Sequence, residues 1–307
     1  MANPPQRIIS LLSSATEILF GIGAGGRVVG IGHECDWPVE ATDRPRVTRS
    51  WIDSTQPSGQ IDREVRQRLA AGLPLYEVDA ETLARLAPDL VVTQAQCDVC
   101  AVRYDDVVNL VKHTPGLRDT RIVALAPSTL EDIFMDVLRV GEATQAQAAA
   151  EEFVSHLRGR VAFVKDRAAG APRPRTVCIE WIEPLMLAAN WTPTLIEIAG
   201  GMPGLVTANA HSGYADWQAV MAYDPEVLII SPCGFDLARS RTEANSLPSL
   251  PGWDDCTAVR AGRVYIIDGN AYLNRSGPRI VDSLEIVAHA VHPELFAPPL
   301  HGGWERM

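Results

Sequence analysis

Residues 7–32 read RIISLLSSATEILFGIGAGGRVVGIG, and the fold turns on this stretch. RIISLL is a short apolar run of the kind that makes a buried strand. In SSATEILFGIGA, Ser14 is followed by Glu17 three residues later, the spacing of a capping box ahead of an apolar helical face. GIGAGG at 21–26 resembles a dinucleotide fingerprint, but it follows a helix and not a strand, so it reads as a helix stop. RVVGIG is then a second strand. Strand, helix, strand predicts a parallel pair with a helical crossover.

The alternation continues outward. ETLARLAPDLVVTQAQ (81–96) reads as a short helix ended near Pro88 and a buried strand ending near Thr93, and RIVALAP (121–127) as another strand. Trp51 to Tyr76 reads as a surface excursion around a short helix. From Ser128 to Gly170 the strand signals stop. Ser128 and Glu131 make a second capping box, Gly141 is expected to interrupt the helix, and an alanine-rich helix follows from about Gln145 to Arg167, roughly 35 Å long. Strands then return in TVCIEW (176–181), in DWQAVMAYDPEVLIISP (216–232), which echoes ETLARLAPDLVVT, and in RVYIIDG (263–269). A closing amphipathic helix has Pro278 near its start. The fold class expected is α/β, with two Rossmann-like lobes of parallel sheets joined by one long connecting helix and a ligand cleft between the lobes. The boundaries are 1–141, 142–171 and 172–307.

Composition narrows the function. The chain of 307 residues is 47% hydrophobic and 21% charged with a formal net charge of −11, which argues against nucleic acid and anionic membranes as main partners. MANPPQRIISLL has neither the basic start nor the long apolar core of a secretory signal, so a cytoplasmic location is expected, or a periplasmic one if a leader has been removed. Six cysteines are then read as free thiols or ligands and not as a disulfide framework.

In open parallel sheets, ligands bind beyond the carboxyl ends of the strands. The loops there carry SSATE, HECDWP (33–38), QAQCDVC (94–100), EPLMLAANW (183–191), CGF (233–235) and NAYLNRSGPR (270–279). Gln94, Cys97, Cys100, Glu180, Trp191, Tyr272 and Arg275 are therefore candidate ligand contacts. Trp51, Tyr214 and Trp217 join them, because their turn-rich surroundings are out of place for core rings. A lone C-x-x-C is a weak metal signal, since structural zinc takes four ligands. His33 and Cys35 on a neighbouring strand-end loop would complete a Cys3His set with Cys97 and Cys100 for zinc or another soft ion. The blander readings stay beside it: thiols near a ligand or in packing, a tryptophan covering a local apolar patch, arginines in salt bridges. No G-x-S-x-G, P-loop or H-E-x-x-H pattern is present, so an enzyme is disfavoured.

The whole chain resembles the helical-backbone class of substrate-binding proteins for ABC importers, and within it the cobalamin binders. The likeness runs through S-x-T-E-x-x-F-x-x-G, V-V-G with D-W-P, LARLAPDLVVT, LIEIAGGMPGLV, DWQAVMAYDPEVLIIS and NRSGPRIV. It implies two lobes on one long helix and a corrinoid, cobalamin or a similar large cofactor, held in the cleft. Trp51 and Trp217 match aromatic positions there, and DGNAYLNR matches a segment supplying polar contacts. It also implies docking on an importer through an acid on each lobe. Glu81 matches the first, whereas the second falls near uncharged Gln218. The HEC and CDVC loops depart from the family pattern. A metal-binding or thiol-dependent protein on the same scaffold, or less favoured an enzyme acting on a corrinoid or thiol compound, are the other readings.

Overall fold

A computed structural model describes residues 3–96, 99 and 101–307. The chain divides into two compact units. The first comprises residues 1–56, 63–127 and 131–156, and the second 57–62, 128–130 and 157–307.

The elements up to the division are β1 (Ile8–Ser10), α1 (Ser13–Gly21), β2 (Val28–Ile31), β3 (Thr48–Ser50), α2 (Ser58–Ala70), β4 (Tyr76–Val78), α3 (Ala80–Leu86), β5 (Leu90–Gln94), α4 (Tyr104–His113), β6 (Arg121–Leu125), α5 (Leu130–Thr144) and α6 (Gln147–Ala168). The sheet of the first unit runs β2-β1-β5-β6, with every neighbouring pair parallel. β1 and β5 are buried throughout, as strands covered on both faces must be, and this is why they read as unbroken apolar runs. Ile9 and Val91 join Leu83 of α3 and Val107 and Val111 of α4 in one core cluster. The excursion after Trp51 holds more structure than its composition suggested: α2 spans 13 residues, and β3 pairs antiparallel with β4.

The second unit contains β7 (Arg175–Trp181), β8 (Met186–Leu187), α7 (Thr192–Ile198), β9 (Met202–Pro203), β10 (Gly213–Tyr214), α8 (Trp217–Tyr223), β11 (Val227–Ile230), α9 (Leu237–Ala244), α10 (Thr257–Arg260), β12 (Val264–Ile267), α11 (Ile280–Val291) and β13 (Trp304–Arg306). Its sheet runs β10-β8-β7-β11-β12-β13, with β9 also on β7. The central β7, β11 and β12 are parallel, whereas the additions β8, β10 and β13 are antiparallel.

The sequence echo between the units is a structural repeat. Asp79 caps α3 by accepting from the Thr82 N–H, and Asp216 caps α8 by accepting from the Gln218 N–H. Each helix ends on a left-handed residue, Ala87 or Asp224, just before a proline. The acid after that proline then holds the start of the neighbouring strand. Asp89 accepts from the Gln6 and Arg7 N–H groups ahead of β1, and Glu226 accepts from the Arg175 N–H that opens β7. The same few residues thus stop a helix and set strand register, once in each unit.

Two local expectations are corrected. Ser14 does not cap α1: the N-cap position is Leu12, no side chain caps there, and Ser14 lies inside the helix. Gly141 does not interrupt α5, which is continuous to Thr144. A Cβ at Gly141 would come within 2.4 Å of the Ala150 Cβ, so the glycine is needed where α6 crosses α5 closely.

α5 also buries a charge. Asp136 is almost wholly enclosed, its Oδ2 has no hydrogen-bond partner, and its Oδ1 pairs with Arg139. Burial pushes its pKa up to about 6 against the pull of Arg139. A carboxyl whose folded pKa is raised favours folding at low pH, and that contribution is lost as pH climbs through the folded value. Asp136→Asn is therefore expected to stabilise the protein by ~1–2 kcal/mol at pH 8, net of the lost Arg139 pair, and by about nothing at pH 4. Urea unfolding at both pH values checks this; an equal effect at both would contradict it.

Candidate functional site

The carboxyl edge of the first sheet gathers the loops after β1, β2 and β5. Gly32, one residue past β2, donates its N–H to the Ser10 carbonyl, binding the second loop to the first. His33 donates its backbone N–H to Thr48 Oγ1 at 2.8 Å, and its Nδ1 lies 2.7 Å from the same oxygen. Arg46 Nη1 bonds the carbonyls of Gly32, His33 and Cys35, so one guanidinium clamps the whole H-x-C turn. Burial first, and then the Arg46 charge, lower the His33 pKa, which keeps the imidazole neutral at pH 7. Cys35 is fully buried, with Thr16 Oγ1 3.1 Å from its sulfur.

Gln94, at the end of β5, is also buried. Its Oε1 accepts from the Gln96 N–H and its Nε2 donates to the Val102 carbonyl. The amide holds its own loop together. Cys97 and Cys100 lie outside the described residues. Trp51 is 43% exposed, with the Arg49 guanidinium 4.6 Å and that of Arg68 5.7 Å from its ring. Its ring is thus presented on a cationic base, with Arg49 itself held by Glu77. Glu81 is exposed in the first turn of α3, and Gln218 holds the equivalent place in α8.

In the second unit several candidate residues turn out to be enclosed. Trp217 is only 9% exposed; its ring stacks on Trp253 at 5.8 Å and its indole N–H donates to the Pro251 carbonyl. It belongs to the core cluster that includes Val220, Leu228 and Ile266, whereas the sequence around it suggested an exposed ring. The turn-rich sequence misled because Asp216 caps α8 at that point, and the first residue of a short amphipathic helix can face the core. Trp191 is buried too, and its indole donates to the Leu273 carbonyl at 2.7 Å, bracing the loop 268–275 from beneath. In that loop Asp268 accepts from the Asn270 and Ala271 N–H groups, and Arg275 donates to Asn270 Oδ1. Arg275 and Tyr272 are both buried, and the Tyr272 hydroxyl sits 3.3 Å from His301 Nδ1. These side chains build the loop, and little of their surface is exposed.

Two candidates do present surface. Tyr214 is 61% exposed and its hydroxyl donates to Asp62. Glu180, at the carboxyl end of β7, is half-buried. Ser212 donates to its Oε2 at 2.5 Å, while the Ser212 oxygen takes the Ala189 N–H. Burial outweighs that bond and raises the Glu180 pKa to about 7. Beside it, Trp181 tilts against Phe235 at 5.1 Å, Arg239 lies 3.7 Å over the Phe235 ring, and Cys233 is exposed. Sequence reasoning passed over Trp181 and Phe235, although the one ends β7 and the other lies on the loop after β11.

Among the described residues, Asp282, Glu285 and His301 also converge, with ligand atoms within 4.8 Å of one another. Arg160 already bridges both carboxylates at 2.5 and 2.8 Å, so the cluster is an ion-pair network fastening α6 to α11. No helix among the described residues is long and apolar enough to cross a membrane.

Two α/β units, each with its own parallel strands and strand-end loops, make a two-lobed architecture. The chain belongs to the periplasmic binding protein family, whose profile matches residues 8–271. It is 21% identical over 298 residues to the uncharacterized ABC transporter substrate-binding lipoprotein YvrC of Bacillus subtilis, covering 95% of this chain and 82% of that one. It is 24% identical over 295 residues to a cobalamin-binding protein of Halobacterium salinarum, covering 94% and 70%. Among solved structures, a periplasmic heme-binding protein from Pseudomonas aeruginosa superposes with a TM-score of 0.72 at 19% identity, covering 95% and 94%.

Proposed function

We propose that this protein captures a corrinoid of the cobalamin type as the substrate-binding component of an ABC importer. The observation that carries the ligand class is Glu180. A carboxyl poised near neutrality can accept a hydrogen bond or donate one, which suits the amide side chains of a corrin, whose N–H groups donate and whose carbonyls accept. The cobalamin-binding relative supports the same choice. Trp51 and Tyr214 supply exposed aromatic surface for a large ring system. Glu81 is the docking carboxylate we assign to the importer.

Titration with cobalamin, followed by visible absorption and by calorimetry, is expected to show binding at micromolar ligand or below. Because Glu180 changes its charge between pH 6 and pH 8, affinity is expected to change by up to roughly tenfold across that range, and Glu180→Gln removes most of that dependence. Absence of both heat and spectral change would overturn the ligand assignment. Binding with an unaltered pH profile in the glutamine variant would overturn the role of Glu180 alone.

A further inference from the structure

The two carboxyl oxygens of Glu180 are not equivalent. Oε2 takes the Ser212 hydroxyl, whereas Oε1 has no hydrogen-bond partner among the described residues and is not sealed from solvent. Ser212 is itself oriented. The Ala189 N–H donates to the Ser212 oxygen at 3.0 Å, and among the described residues the acceptor for the hydroxyl proton is Glu180 Oε2. A serine has a single proton to give. Reversing the bond, with a Glu180 proton on Oε2, would leave the serine proton without that acceptor. The chain from the Ala189 N–H through the Ser212 hydroxyl to Oε2 therefore runs in one direction. When Glu180 is neutral, its proton is on Oε1, the oxygen left free.

The backbone brings Ser212 to the carboxyl end of β7 without help from its side chain. β8 and β10 pair through Leu187 with Gly213 and Met186 with Tyr214, and just beyond them the Asn190 N–H donates to the Ala210 carbonyl. The neighbouring titratable and charged groups have other contacts. Burial pushes the Cys178 thiol of the same strand far up, so it is neutral. The Glu183 carboxylate lies against Gly59 of α2, and the Arg239 guanidinium of α9 lies over the Phe235 ring. Cys233, after β11, meets Glu180 by donating its N–H to the Glu180 carbonyl, and His211 beside Ser212 is exposed. What acts on the Glu180 carboxyl is burial first and then the Ser212 bond. A ligand laid over Oε1 removes the remaining water, which disfavours the charged form further.

We propose that Ser212 is a positioning residue that makes Glu180 a hydrogen-bond donor: by occupying Oε2 it commits the proton of the neutral acid to Oε1, which recognises an acceptor on the ligand, an amide carbonyl in a corrinoid. The choice of an amide carbonyl rests on the corrinoid reading, whereas the hold of Ser212 on Glu180 does not. Binding through a donated proton takes up a proton from solution wherever free Glu180 is ionised.

The free protein is titrated first, by NMR of the glutamate side-chain carboxyl carbons, with the Glu180 signal identified by its loss in Glu180→Gln. A midpoint near pH 7 is expected, rising by about one pH unit in Ser212→Ala and returning in Ser212→Thr, which restores the hydroxyl. Cyanocobalamin is then added by calorimetry in buffers of different ionisation enthalpy. Roughly half a proton should be taken up per ligand at pH 7 and almost none at pH 5, with the uptake at pH 7 lost in Glu180→Gln and reduced in Ser212→Ala. Affinity should fall from pH 6 to pH 8 in the wild type, and in Ser212→Ala that fall should lie about one pH unit higher. A serine that only braced its loop would weaken binding equally at every pH. Proton release on binding, no uptake at pH 7, or a Ser212→Ala midpoint equal to that of the wild type overturns the proposal. A Glu180 midpoint in the ordinary carboxylate range does so as well. No heat with cyanocobalamin overturns the corrinoid reading and the acceptor named for it, and the titration of the free protein then decides the role of Ser212 by itself.

Discussion

Replacing Trp217 with alanine is expected to lower the unfolding free energy of the second unit by ~3–5 kcal/mol, the usual cost of removing a large buried aromatic. The indole packs on Trp253 and sits among Val220, Leu228 and Ile266, so the truncation leaves a cavity below the sheet that short α8 cannot collapse to fill. The Pro251 carbonyl would also lose its donor. Trp217→Phe keeps most of the ring volume and should cost about half as much. Urea unfolding followed by fluorescence and circular dichroism measures both. The experiment separates two readings of the same residue. If the alanine variant unfolds at the wild-type midpoint yet loses ligand, Trp217 is a binding surface after all, and its placement in the core is wrong.

Gly269→Ala should be damaging as well, for a different reason. A Cβ at this position would lie 2.0 Å from the Pro232 carbonyl oxygen and 2.6 Å from its carbon. The obstacle is backbone, so no rotamer change relieves it. Either the loop after β12 or the loop after β11 must shift. Overpacking of this kind costs ~1–3 kcal/mol or more. The functional consequence is larger than the stability loss suggests, because the two loops are tied by the Gly269 and Asn270 N–H bonds to the Phe235 carbonyl. Moving one displaces Cys233 and Trp181 on one side and the Tyr272–Arg275 turn on the other. Cobalamin affinity is expected to fall at least tenfold, in a variant whose circular dichroism stays close to wild type. A variant that binds normally would mean that these loops contribute no ligand contact.

The architecture was legible because parallel strands buried on both faces leave no alternation to confuse with a helix. RIISLL, LVVT, CIEW and VLII read as short apolar runs between turn residues, and they are β1, β5, β7 and β11. The repeated Asp cap, left-handed stop, proline and acid around α3–β5 and α8–β11 is a local device, and local devices can be read along the chain. Family membership followed from the same segments.

The direction of side chains was much less accessible. Trp217 and Trp51 sit in similar turn-rich sequence, yet one starts a helix facing the core and the other stands over arginines at the surface. Gln94, Trp191, Tyr272 and Arg275 were rightly placed on strand-end loops, but their polar atoms are used to build those loops. Trp181 and Phe235 are adjacent only because β7 and β11 are neighbours in the sheet.

The sequence by itself determined the central parallel strands, most of the helices that cover them, and the strand ends near which the chemical groups lie, because these depend on contacts within a few residues. The tertiary structure alone decided which of those groups keep their surface, which are consumed in bracing, and that burial leaves Glu180 poised near neutrality and lowers the His33 pKa. Burial and hydrogen-bond satisfaction depend on neighbours far away in sequence, and no local pattern encodes them.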